Sequence, residues 1–276
     1  MTARLLASRF GIHAILLLAA IFVMVPFVYI TASAFKSQIA ILTGQYLFEP
    51  TLDNLREVLF SSTSDYIANY RNSFMVAVTA TLLVLVFATL AGYAMERMAC
   101  PRWIVHSLLV WAALFNMIPP VTMVGAWFQM YREIGLDNTI TGLVLAHVTL
   151  NLPLALWLMA NFIREVPLEL EEAARIDGCS TPRLIWRVIV PLVRPGLAAT
   201  GILVFIFSWN EFVVALSLTG RNTATVPVGI SKYSQEFEIK YAEMAAAAFL
   251  SVLPAFVLLL FGQRHIVKGI TAGAVK

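Results

Sequence analysis

Six apolar stretches constrain this chain more than any other feature. They run over residues 12–35, 74–95, 103–130, 139–162, 197–218 and 242–262. Each approaches or exceeds the roughly 20 apolar residues a helix needs to cross a bilayer. Backbone groups in hydrocarbon must find partners within their own segment, so repeated stretches of this kind fold as helices. Composition agrees: 60% of the 276 residues are hydrophobic and 13% are charged, against about 25% charged in soluble domains. The expected fold is therefore all-α, a polytopic membrane protein with six transmembrane helices in one domain over residues 1–276. The first stretch is too long for a signal-peptide core and has no small-residue cleavage site behind it, so it reads as an uncleaved span.

The flanks orient the bundle. With the N-terminus inside, the inner flanks carry twelve Lys and Arg and the outer flanks seven, and the outer loops hold more acids than bases. Positive charge is retained on the cytoplasmic side. Both termini are thus expected in the cytoplasm. Cys100 and Cys179 fall on that same side and read as reduced thiols. Two outer loops are sizeable, residues 36–73 and 220–241. Within the first, residues 52–59 read as a short amphipathic helix capped by Thr51.

Between the fourth and fifth stretches lies a polar interruption, residues 165–196, with five acids and four arginines. Its punctuation predicts two short helices and a turn. Pro167 suits a first helical turn, Gly178 a C-terminal cap, and Thr181-Pro182 a second start. Pro191 and Pro195 mark the end of that second helix. Glu171 and Arg175, at i and i+4, are expected to pair along the first helix. Ala173 and Ala174 are small enough for a neighbouring surface to approach, and the Glu172 carboxylate suits a basic group there. Such a helix–turn–helix at the membrane surface reads as a docking element for another protein.

Polar groups inside apolar stretches face protein or a water-filled path. Asn116, Asn151, Trp209, Asn210 and Glu211 are the candidates for a translocation path or gate. His147 and Asn161 are further intramembrane polar groups, for which hydrogen bonding between helices is the ordinary role. Glu211 is the one acid expected well inside a span. Pro119-Pro120 and Pro153 interrupt helical hydrogen bonding, as simple kinks or as the broken helices of a transporter. The chain contains no GxxxxGK[ST] phosphate loop and no GxSxG or HExxH signature. No metal-site spacing and no catalytic residues are read, and a net charge of +3 gives no reason to expect nucleic acid. Uphill transport driven by ATP would need the ATPase on another subunit.

The run Glu172-Ala173-Ala174, three residues, Gly178, nine residues, then Val188-Ile189-Val190-Pro191 resembles the EAA loop of binding-protein-dependent ABC importer permeases. Valine replaces the family's aliphatic residues at two places. Residues 208–216 (SWNEFVVAL) and the tail, residues 263–276 (QRHIVKGITAGAVK), are similar to maltose-type sugar permeases. The resemblance implies a permease for a sugar or related polyol in the bacterial inner membrane. It also implies a homologous second permease, a pair of ATPase subunits that hold ATP and Mg, and an extracytoplasmic solute-binding protein. It makes residues 165–196 the coupling loop, with Glu171, Glu172, Ala173, Ala174, Asp177 and Gly178 at the ATPase interface. In some relatives the tail reaches between the ATPases. Two alternatives stay open: an importer permease for another solute, such as a glycerol phosphate ester, and a self-contained secondary transporter or channel.

Overall fold

A computed structural model describes residues 2–98, 100–234 and 239–272, with side chains described at 11–98, 100–234, 239–260 and 262. The helices in chain order are α1 (Thr2–Ala34), α2 (Gln38–Leu42), α3 (Asp53–Phe60), α4 (Tyr66–Arg97), α5 (Arg102–Met117), α6 (Pro120–Glu133) and α7 (Ile140–Arg164). They continue with α8 (Leu168–Ile176), α9 (Thr181–Leu184), a π-helical turn at Ile185–Ile189, α10 (Val190–Leu192) and α11 (Arg194–Trp209). α12 (Val213–Leu218), α13 (Val226–Ser231) and α14 (Tyr241–Ala272) complete the order. Among the described residues there is no strand, so the all-α expectation holds.

Four helical stretches are long and apolar enough to cross a membrane: Gly11–Ala34, Tyr66–Arg97, Ile140–Arg164 and Tyr241–Leu260. The third and fifth expected spans fall in bent pairs, the second of which begins inside the stretch expected to be cytoplasmic. α5 and α6 meet at 98°, and the helix from Thr181 to Leu192 meets α11 at 80°. The third stretch is therefore not one straight helix. Pro119 has no N–H to give and forces Ile118 into an extended conformation (φ −78°, ψ 121°). The fifth stretch also stops early: α11 ends at Trp209, and α12 starts afresh at Val213.

Internal contacts divide the chain into two units, Met1–Ile67 with Ile230–Leu253, and Ala68–Gly229 with Pro254–Lys276. In the first, the apolar side chains of α1, Phe22 among them, stand exposed around the helix. A helix apolar on every side belongs inside a protein core or a bilayer. Asn54 closes the end of α1, donating to Ala34 O at 3.0 Å and Lys36 O at 2.8 Å. Thr51 Oγ1 accepts from Asp53 N at 3.1 Å, and α3 begins at Asp53 behind Leu52, one residue later than its sequence cap placed it.

The second unit is built on α7. Leu143, Ala146, Ala155, Met159 and Ile163 are all buried along it. Thr139 caps its start, accepting from Gly142 N. α5, α11 and α12 pack on α7, and α12 also packs on α6. α4 turns one face inward through Val76, Ala80, Val84 and Ala88, each one helical repeat from the last. At Gly92 a Cβ would stand 3.1 Å from Ala160 N, so the missing side chain lets α4 approach α7 closely.

Candidate functional site

The polar interruption folds as the sequence predicts at its first helix and differently at its second. α8 ends in a Schellman motif: Gly178 N donates to Arg175 O and Cys179 N to Ala174 O, both at 3.0 Å. Gly178 has φ +80°, a conformation costly for any residue with a Cβ. The second helix does not stop at Pro191. It starts at Thr181, behind Ser180, and passes through the π turn to Leu192. Val190 N donates to Ile185 O, five residues back. That widened turn accommodates a proline ring that would otherwise press on the Arg187 carbonyl. Pro195 then sits in the first turn of α11, where it starts a helix.

α8 has two unlike sides. Glu169, Glu172, Ala173 and Ile176 fall at i, i+3, i+4 and i+7, and all four are exposed, Ile176 to 86%. Asp177 and Gly178 continue this outward stripe, and Ala174 is half-buried beneath it. Glu171 points the other way. Its side chain is 4% exposed and lies 2.6 Å from Arg97 Nε. Tyr93 donates its hydroxyl hydrogen to the other carboxylate oxygen at 3.1 Å, and Arg175 Nη2 donates to the Tyr93 oxygen at 3.3 Å. The expected pairing of Glu171 with Arg175 along α8 is thus replaced by a contact through Tyr93. A guanidinium in the protein interior outcompetes one at an exposed position.

Arg97 reaches further. Its Nη2 donates to Ile163 O at 2.8 Å and to Val166 O, one carbonyl in the last turn of α7 and one just past its end. One guanidinium therefore fastens the end of α4, the end of α7 and the inner face of α8. A second tie lies beside it: Arg164 on α7 grips Glu96 on α4 through both nitrogens, at 2.6 and 2.9 Å. Sequence reasoning missed Arg97 and Tyr93. They stand 74 and 78 residues before Glu171, and no local pattern links them.

A second feature lies where two helix breaks, α5–α6 and α11–α12, meet α7, which runs on through Pro153. A cleft of about 230 Å³ is lined by Phe115, Asn116 and Pro120 at the α5–α6 bend and by Asn151 just before Pro153. Phe207 and Glu211, at the α11–α12 break, close it. Glu211 is consequently not inside a continuous span. It starts α12, its two carboxylate oxygens accepting from Val214 N at 2.8 Å and Ala215 N at 2.9 Å. A carboxylate at a helix start satisfies free N–H groups and meets the positive end of the helix dipole. Buried His147 stands behind it, with Nε2 3.7 Å from Glu211 Oε2 and Nδ1 2.6 Å from Ser208 Oγ.

Asn116, Asn151 and Glu211, which the sequence singled out separately, are thus brought together. Trp209 and Asn210 are not among the lining residues. Trp209 is buried, stacked on Phe205 at 5.8 Å and edge-on to Tyr70 at 5.2 Å. Asn210 donates to Ile206 O four residues back. Asn116, Asn151 and Asn161 likewise donate to the carbonyl four residues back. These amides bond within their own helices, not between helices, which leaves Asn116 and Asn151 the remainder of their donors and acceptors for the cleft. The C-terminal tail, residues 263–276, lies outside the residues whose side chains are described.

Residues 87–272 match the family of binding-protein-dependent transport system inner membrane components. The chain is 37% identical to the trehalose transport system permease protein SugB of Mycobacterium tuberculosis, over 92% of this chain and 93% of that protein. It is 34% identical to the trehalose/maltose transport system permease protein MalG of Thermococcus litoralis, over 94% of each. In fold it is similar to a chain of a bacterial ABC transporter involved in import of the acidic polysaccharide alginate (TM-score 0.70, 16% identity, 95% and 96% coverage).

Proposed function

The chain belongs to the binding-protein-dependent transport system inner membrane components, and from that premise we propose that it is one of two permease subunits of an ATP-driven sugar importer. It forms half of the translocation path for a sugar or related polyol across the bacterial inner membrane, with both termini in the cytoplasm. A homologous permease supplies the other half. A solute-binding protein delivers the solute from outside, and a pair of ATPase subunits holds ATP and Mg. The permease relatives named for trehalose and maltose support the solute class.

The observation that carries the mechanism is the division of labour on α8. Its outward stripe, Glu172 and Ala173 through Gly178, is free to seat on the ATPase, with half-buried Ala174 allowing close approach. Its inner face is fastened by Glu171 to Arg97, so α8 moves together with the ends of α4 and α7. ATP binding closes the ATPases, the fastened helix follows, and the spans tilt to open the path outward. Hydrolysis resets them. The cleft at Asn116, Asn151 and Glu211 is the part of the path this chain contributes, since broken helices are tolerated where they line a cavity.

Co-purification and uptake test the reading. The native complex should carry the ATPase pair, and sugar uptake should stop on ATP depletion. Glu172→Lys puts a cation on the outward stripe and should detach the ATPase while leaving the permease pair folded. Uptake that persists without ATP would instead identify a self-contained transporter.

A further inference from the structure

We propose that Glu211 is a charge filter in the cleft, so that this permease passes neutral polyhydroxylated solutes and disfavours anionic ones such as phosphate esters. The inference rests on the cleft being part of the path, as proposed above.

The cleft's chemistry is one-sided. Asn116 and Asn151 each commit one N–H to a carbonyl of their own helix, leaving an amide oxygen and a second N–H apiece. Phe115 and Phe207 add apolar ring surface. Amides beside aromatic rings suit a sugar ring, which has hydroxyls around its edge and apolar C–H faces. Among the described lining residues Glu211 is the one ionisable group, and no Lys or Arg joins it. Two backbone N–H groups fix its carboxylate in place, yet each oxygen keeps a lone pair for a solute hydroxyl. Its charge therefore acts on whatever enters. In a narrow site of low dielectric that field is strong, and an anion meets repulsion with no lysine or arginine in the lining to offset it. His147 is the titratable group behind the carboxylate, 3.7 Å from Oε2.

The field can be read without knowing the solute. In the complete transporter, with Cys100 and Cys179 replaced by serine, Asn151→Cys or Asn116→Cys places one thiol in the cleft. Its reaction rate is measured with a trimethylammonium-bearing and a sulfonate-bearing methanethiosulfonate of similar size. The cationic reagent should react about tenfold faster, relative to their rates on a free thiol. Glu211→Gln should bring that ratio close to one, and Glu211→Asp should restore it, which a purely structural loss would not do. A ratio near one with Glu211 present, or one unmoved by Gln, overturns the filter and leaves the path reading standing. If neither reagent reaches either thiol in any nucleotide state, the cleft is not water-lined, and both readings fall.

Discussion

Two of the carboxylates in the larger unit of this chain, Glu171 and Glu211, have surroundings that suit different work. Glu171, on α8, meets a guanidinium at 2.6 Å and a tyrosine hydroxyl at 3.1 Å, with almost no exposure. Glu211, at the start of α12, meets two backbone N–H groups and the edge of a cleft. The first is neutralised by a partner on another helix, so its bonds hold helices together. The second is held by its own helix, so its charge remains available to the space in front of it. A buried acid next to an arginine is a joint. A partly exposed acid next to backbone amides and a cavity is a field.

The contrast can be broken by mutation, because the two losses should differ in size. Arg97→Ala leaves the Glu171 carboxylate buried without its cation and removes the guanidinium bonds to Ile163 O and Val166 O. Stranding a buried charge costs on the order of 3–5 kcal/mol. Thermal unfolding of the purified permease should show a large fall, and a variant as stable as the parent would refute the joint. Glu211→Ala removes a helix cap without stranding a charge, so about 0.5–2 kcal/mol is expected in the same assay. Arg164→Ala sharpens the comparison from below. That guanidinium grips Glu96 with two bonds, but its side chain is 58% exposed, and such pairs contribute about 0.2–1 kcal/mol. If Arg164→Ala were as damaging as Arg97→Ala, burial would not be what distinguishes the two ties.

What the sequence made legible was what short-range chemistry decides. Gly178 and Pro167 mark α8 because capping depends on neighbours a few residues away, and the Schellman bonds at Gly178 and Cys179 follow from it. Thr51 announces α3 for the same reason. What escaped depends on distant partners. Arg97 reads from sequence as one more positive charge beside a span, and only the approach of α4 to α7 across Gly92 brings it under α8. The prolines at 119 and 120 announce a break, but the 98° between α5 and α6 belongs to what each helix packs on. Pro191 looked like a stop, and a π turn carried the helix past it. Glu211 looked like an acid in mid-span because hydropathy averages over the break at residues 210–212 and sees one apolar run.

In the proposed mechanism α8 drives the spans through Glu171. The direct measurement is the number of solute molecules imported per ATP hydrolysed by the complete transporter, using trehalose or maltose with the cognate binding protein. Glu171→Gln keeps the shape and some hydrogen bonding but removes the ion pair, and it leaves the outward stripe untouched. The ATPase pair should still co-purify and still hydrolyse ATP. Uptake per ATP should fall about tenfold, corresponding to about 1.4 kcal/mol of lost coupling. An unchanged ratio in an assembled complex would contradict the claim and place the transmission elsewhere.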